Sequence, residues 1–280
     1  MDKKSSKNMK SVAIRRVWQH NAAFEFHLIT ALIRHYTFVS LDTEFPGTVF
    51  QIPAQTPASK YHLMRENVNA TKIIQLGLTL SDRHGNLPDL GTDTCYIWEF
   101  NFRDFDIDRD CQNKDSIELL KRQGIDFLEN KQNGISASHF SSLLRNSGLI
   151  SRESNLTWVT FHSAYDFGFL IKILNEVLPH DITSFMWMMD LYFGQRVYDI
   201  KYMIRFCQGL HGGLEKVANA LNVDRVAGKS HQAGSDSLLT LQTFMKLKDV
   251  YFKTSLLEQN CNSNFYCCQG VLYGLEVEDR

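Results

Sequence analysis

Hydrophobic residues change their spacing along this chain, and the changes divide it into elements. Phe24, Leu28, Ala31 and Leu32 stand at i, i+4, i+7 and i+8, one stripe of a helix that the pattern predicts from near Val12 to His35. Thr37-Phe38-Val39-Ser40-Leu41 is then β-branched and apolar until the Pro46-Gly47 turn, and Thr71–Leu80 and Thr94–Phe102 are two more such runs. Three strands are predicted there. The stretch between the second and third (SDRHGNLPDLGTD) is rich in Gly, Pro and Asp, so a loop without a helix joins them and antiparallel pairing is favoured.

After Phe102 the rhythm alternates. SIELLKRQGIDFL, SHFSSLLRNSGLI and YDFGFLIKILNEVL have helical spacing, LTWVTF and QRVYDI read as strands, and Leu214, Val217, Ala218 and Leu221, then Leu238, Leu241 and Met245, mark two further helices. Three antiparallel strands followed by β/α alternation predict an α/β fold with one mixed sheet covered on both faces by helices.

Composition adds bounds to that picture. With 280 residues, 44% hydrophobic and 22% charged, the chain has the profile of a folded protein whose core needs no disulfides. Lys3, Lys4, Lys7 and Lys10 with Ser5, Ser6 and Ser11 predict a mobile basic tail over residues 1–11, ahead of a single domain over 12–275 and a short C-terminal tail, 276–280. The six cysteines are scattered without CxxC or zinc spacing, which points to a reducing compartment. The N-terminus lacks an apolar signal core, and no apolar run approaches the roughly 20 residues of a membrane span; the expectation is a cytoplasmic and nuclear protein with no membrane association. A formal charge of −1 argues against bulk electrostatic coating of nucleic acid and leaves room for a local basic groove.

Three acidic features break the apolar pattern. Asp42 and Glu44 interrupt the first predicted strand at its end; residues i and i+2 share a face, so both carboxylates converge at one strand edge. Like charges held that close repel unless a proton or a cation lies between them, and a hard divalent ion meets that need. Standing alone, the pair also reads as solvated turn residues. Asp166 follows a buried-looking strand and enters an apolar helix; it is either a first-turn acid favoured by the helix dipole or a carboxylate facing the crevice at a strand end. In GKSHQAGSDSLLT, His231 precedes Asp236 by five positions, a helix cap with a loop histidine, or an acid and an imidazole aimed into the same crevice. Together the order is rarer than its parts. Four carboxylates can hold two Mg²⁺ or Mn²⁺ ions about 3.5–4 Å apart, and an imidazole can take the proton of an attacking water. That is the chemistry of phosphodiester hydrolysis.

LDTEFPG, FHSAYDFGFLIKIL, VYDIKYMIRFC and GLEKVANALNVDRVAGKSHQAGSDSLLT closely resemble the CCR-associated factor family of deadenylases, nucleases of the CCR/NOT complex within the DEDD exonuclease superfamily. The likeness covers roughly Val17 to Leu275. It implies an RNase H-like fold and 3′-to-5′ removal of poly(A) tails from messenger RNA, with a scaffold subunit and a second nuclease subunit as partners. By the motifs, Asp42, Glu44, Asp166 and Asp236 match the metal-binding acids. His231 matches the general base of the histidine subclass, Gln232 standing where the alternative subclass has tyrosine. After EFPG the chain reads TVFQIPAQTPASKYH, a departure from the family at a place where substrate contacts are expected.

Other features are weighed against bland readings. Asp104, Asp106, Asp108 and Asp110 alternate like the start of a calcium loop, but Arg109 replaces the turn glycine and Asp115 the closing glutamate, so a solvated loop is expected. The aromatic and Met-rich group Phe185, Met186, Trp187, Met188 and Met189 is read as core before partner surface. Lys201 is a candidate for contacting a phosphate, and Phe45 for packing beside the terminal nucleotide. Two other functions stay open on sequence alone: a DEDD exonuclease of different substrate specificity, and a catalytically weak scaffold subunit.

Overall fold

A computed structural model describes residues 10–252 and 262–276. In chain order the elements are β1 (Ser11–Val17), α1 (Ala22–Leu32), β2 (Phe38–Glu44), α2 (Pro57–Ala70), β3 (Gln75–Ser81), β4 (Thr94–Asn101), α3 (Lys114–Gln123), α4 (Phe127–Asn133), α5 (Ala137–Asn146), β5 (Thr157–Thr160), α6 (Ala164–Asn175), α7 (Ile182–Phe193), β6 (Val197–Asp199), α8 (Ile200–Met203), α9 (Leu214–Ala220), α10 (Ala233–Tyr251) and α11 (Asn262–Cys267). The sheet order is β1-β4-β3-β2-β5-β6. β2, β3 and β4 pair antiparallel as expected, while β1 joins β4, and β5 and β6 extend from β2, in parallel.

The two faces of the sheet differ in chemistry because side chains alternate. Val39, Leu41, Leu76, Leu78, Leu80, Trp98 and Phe100 point to one face and join α1, α2, α5, α6 and α7 in the main core. The register puts Ser40, Asp42 and Glu44 of β2 beside Thr79, Gly77 and Gln75 of β3 on the other face. That face is small and polar, and α10 lies across it. Ser237 of α10 bonds both strands: Ser40 Oγ donates to its carbonyl at 2.6 Å, and its hydroxyl is 2.8 Å from Thr79 Oγ1. A separate apolar cluster of Val159, Tyr198, Ile200, Met203, Val217 and Phe244 anchors α9 and the far half of α10.

Gly77 sets how closely that helix approaches. A Cβ on Gly77 would lie 1.8 Å from the Ala233 carbonyl oxygen, and a Cβ on Gly234 would meet Glu99 at 3.1 Å. Contact of backbone with backbone brings the first turn of α10 down onto the acidic end of β2, where any larger residue at 77 would hold it off.

The first sequence expectation is corrected. Val12 to His35 is not one helix: β1 occupies Ser11–Val17, a turn follows, and α1 begins at Ala22. The β-branched residues of SVAIRRV pair in register with β4, Ser11 against Thr94 through Val17 against Phe100, a long-range pairing that outweighs local helical spacing. The buried stripe of α1 is Ala22, Glu25, Phe26 and Ile29, and Phe24 is 58% exposed; a buried glutamate concealed the true face. Ser11 opens β1 and Lys10 Nζ bonds Asp89 at 2.6 Å, so these two residues, assigned to the tail, belong to the fold. The rest of that tail, 1–9, and residues 277–280 lie outside the described residues.

Other boundaries shift for local reasons. The helix expected over SIELLKRQGIDFL is split by Gly124, whose φ of +99° caps α3 in the left-handed region, where glycine is favoured. α2 has no counterpart in the sequence reading, although Thr56 and Ser59 form a capping box ahead of Pro57. Phe185, Met186 and Met189 are core as expected, with Trp187 on the outer side of α7, 61% exposed. Among the described residues no helix is long and apolar enough to cross a membrane.

Candidate active site

Both faces of the sheet deliver acids to the C-terminal end of β2. Asp42 and Glu44 project toward α10, Glu44 buried and Asp42 half-buried. Asp166 comes from the opposite face, in the first turn of α6, and is buried. Its Oδ1 accepts the Thr43 N–H at 2.9 Å and the Thr43 hydroxyl at 2.6 Å, so the residue between the two β2 acids fixes the third. Asp236 stands in the first turn of α10. Its Oδ2 accepts the His231 N–H at 2.9 Å, and its Oδ1 lies 2.5 Å from Arg225 Nη2. His231 itself is exposed, with φ +57°, an uncommon conformation for a residue with a side chain. One ligand atom each from Glu44, His231 and Asp236 lies within 4.8 Å of the others.

The charges are crowded and nearly unpaired. Burial, then repulsion from Asp236 and Asp166, pushes Asp42 and Glu44 well above the ordinary carboxylate range. Asp166 is pushed up to about 7 by burial, against the two hydrogen bonds from Thr43. Burial also raises Asp236, with Arg225 opposing. Among the described residues Asp42, Glu44 and Asp166 have no ion-pair partner, and Arg225 is shared with Glu215. An all-carboxylate oxygen set with one adjacent imidazole fits hard divalent cations, which neutralise the cluster without a proton.

The fold brings the five motif residues together. The sequence pattern does not mark Thr43, whose hydrogen bonds depend on β2 facing α6, or Arg225, which sits in the loop after α9 with no spacing signal. Arg225 Nε donates to Glu215 Oε1 at 2.9 Å and Nη1 to Ser235 Oγ at 2.5 Å, tying α9 to the start of α10. Phe45 stacks on Tyr165, centroids 5.3 Å apart and planes 5° from parallel, and packs on Phe169, so its ring is held against α6 and the main core. Lys201 Nζ donates to the Gly212 carbonyl at 2.5 Å and lies 5.6 Å from the Tyr273 ring centroid. The alternating aspartates are taken up locally: Asp106 by Lys131 and Asp110 by Lys72, at 3.0 and 2.9 Å.

Residues 17–153 match the CAF1 family ribonuclease model. Probable CCR4-associated factor 1 homolog 7 of Arabidopsis thaliana is 49% identical over 275 residues, 96% of this chain and 95% of the relative. The chain belongs to the CAF1 ribonuclease family. This CAF1-family chain is also 40% identical over 266 residues to the poly(A) ribonuclease pop2 of Schizosaccharomyces pombe, covering 94% of the chain and 75% of that protein. The S. pombe Pop2p structure in its Mg²⁺- and Mn²⁺-bound form superposes with a TM-score of 0.83 at 40% identity, over 94% of this chain and 99% of that one. Yeast CAF1, co-crystallised with the NOT1 MIF4G domain, gives a TM-score of 0.75 at 35% identity, over 93% and 96% of the two chains. The fold of the CAF1-family chain is RNase H-like.

Proposed function

We propose that this CAF1-family ribonuclease shortens poly(A) tails of messenger RNA from the 3′ end, releasing 5′-AMP, with two divalent ions, Mg²⁺ or Mn²⁺, as cofactors. The observation that carries the reading is the convergence of Asp42, Glu44, Asp166 and Asp236, with His231 at the rim, from three separate parts of the chain onto one crevice. The family membership of the whole chain supports the same conclusion.

Each residue then has a task. The four carboxylates would hold the ions, and Thr43 and Arg225 keep Asp166 and Asp236 in place. Bound divalent ions supply Lewis acidity toward a water and toward the phosphate oxygens. His231, on the exposed loop before α10, takes the proton from the attacking water as the water oxygen bonds to phosphorus. The P–O3′ bond breaks, O3′ takes a proton from solvent water, and the shortened RNA leaves with a 3′-hydroxyl while the phosphate stays on the released 5′-AMP. A crevice this acidic accepts a polyanion only with its cations in place. Phe45, stiffened by Tyr165, offers an edge to the terminal nucleotide, and Lys201 a cation to a nearby phosphate.

The setting is a CCR/NOT-type assembly containing a NOT1-like scaffold, as with the co-crystallised yeast relative, and a second nuclease subunit, acting in cytoplasm and nucleus. A 5′-labelled RNA ending in twenty adenines tests the activity directly. Wild type with Mg²⁺ or Mn²⁺ should give a ladder that shortens from the 3′ end and slows at the first non-adenine. Chelator should stop it. A folded protein that leaves this RNA intact with either metal contradicts the reading.

A further inference from the structure

Asp199, within VYDIKYMIRFC but given no role by the sequence, ends β6 and is 0% exposed. Its partners are main-chain amides from three parts of the chain. Oδ1 accepts the N–H of His162 at 2.7 Å and of Lys201 at 2.9 Å; Oδ2 accepts the N–H of Ser163 at 3.2 Å and of Tyr273 at 3.0 Å. Only the Lys201 bond is the ordinary cap of α8.

Two of the other three, from His162 and Ser163, come from the turn that leads to Asp166. His162 has φ +62° and Ser163 φ −91°, an alternation that turns successive N–H groups toward one anion. Ser163 is the N-cap of α6 yet makes no side-chain cap bond, since its hydroxyl accepts from Thr160 Oγ1 at 2.7 Å. The start of α6 is therefore anchored through Asp199, three residues ahead of Asp166. Tyr273 brings in the C-terminal segment, which also pairs Val271 with Tyr198 and donates from Gly270 N to the Val197 carbonyl at 2.8 Å.

We propose that Asp199 is a positioning residue for Asp166: its buried carboxylate locks the β5–α6 turn to β6 and to the C-terminal segment around Tyr273, so that a segment distant in sequence from the metal acids sets their geometry. The proposal rests on Asp166 being a metal acid. Charge matters as well as shape. Asparagine at 199 keeps the volume but turns one acceptor into an N–H₂ facing two N–H donors, which breaks two bonds and opposes the donors.

The test compares wild type, Asp199→Asn, Tyr273→Pro and Asp166→Asn for circular dichroism, Mn²⁺ affinity by EPR, and kcat and KM on the twenty-adenine RNA. Folded Asp199→Asn should bind Mn²⁺ at least about five-fold more weakly and lose about 10²-fold in kcat, the scale of a displacement near 1 Å, with KM within about threefold. Tyr273→Pro, which removes one of the four donors, should shift Mn²⁺ affinity in the same direction by less. Wild-type Mn²⁺ affinity and kcat in folded Asp199→Asn would overturn the proposal. Should Asp199→Asn fail to fold, Tyr273→Pro decides: weakened Mn²⁺ binding supports the proposal and unchanged binding overturns it. Asp166→Asn with undiminished Mn²⁺ affinity removes Asp166 from the metal site and the proposal with it. A loss there beside an unaffected Asp199→Asn overturns the proposal alone.

Discussion

Glu25 and the acids gathered at the end of β2 are carboxylates set into one sheet domain and treated in opposite ways. Glu25, 3% exposed on α1, receives Arg15 Nε and Nη2 at 2.7 Å each and Trp98 Nε1 at 2.9 Å. Its charge is matched in sign and in hydrogen bonds, and it joins α1, β1 and β4. At the other site four acids face one another with a single guanidinium at one of them. A fully partnered buried acid holds structure together; a crowded, under-partnered cluster is a strained arrangement that a divalent ligand relieves.

Removing one acid from each site should have the largest effect, and an opposite one in the two places. Asp42→Ala or Asp236→Ala should abolish hydrolysis of the adenine RNA in the labelled assay, and the metal-free Tm of Asp42→Ala should hold or rise, because that change removes charge from a repelling set without stranding a cation. His231→Ala comes next, lowering kcat by about 10²–10⁴-fold, the usual worth of a general base, with Mn²⁺ binding by calorimetry largely retained. Equal rates for wild type and His231→Ala from pH 6 to 8 would take the imidazole out of the mechanism.

Glu25→Ala should do the reverse of the crevice variants. It leaves Arg15 and the Trp98 N–H without their partner and should cost roughly 2–4 kcal/mol in denaturant unfolding, with kcat of the folded fraction unchanged. Stability without a loss at that position would mean that the buried pair is not what holds α1 to the sheet.

The gentlest test is pH. Asp166 is pushed up to about 7 by burial, and Asp42 and Glu44 are raised by burial and by their neighbours, whereas an unfolded aspartate titrates near about 3.9. Raised folded values mean that the native state favours the proton. That stability is fully present below the unfolded value and is lost as pH rises through the folded one. The Tm of metal-free protein should therefore fall between about pH 5 and pH 8, and saturating Mg²⁺ should flatten the slope. A metal-free Tm that climbs across that window would show that the acids are better partnered than the geometry implies.

Legibility followed the range of the interactions. The central antiparallel strands, the loop between β3 and β4, and the helices α6, α9 and α10 were readable because alternation and helical spacing act over a few residues, whereas α7 had no counterpart in the pattern. The five motif residues were readable because their types and order carry the chemistry. β1 was not, since its strand form comes from pairing with β4 some eighty residues away. The buried face of α1 was hidden by Glu25, whose burial makes sense only once Arg15 and Trp98 are beside it. Thr43, Arg225 and Asp199 were missed for a like reason: each acts by holding another residue across the fold, and nothing at that position in the sequence names its partner.

Residue order alone was enough to mark four carboxylates and an imidazole as breaks in an apolar pattern and to give the α/β class of the scaffold that carries them. Only the tertiary structure decided that Asp166 and Asp236 reach the same crevice from opposite faces of the sheet. Gly77 admits α10 to backbone contact with the sheet and Gly234 makes room beside Glu99, while Thr43 holds Asp166 on the other face of β2. Spacing along a chain fixes directions only within one element; the distance between charges on different elements is set by how closely those elements pack.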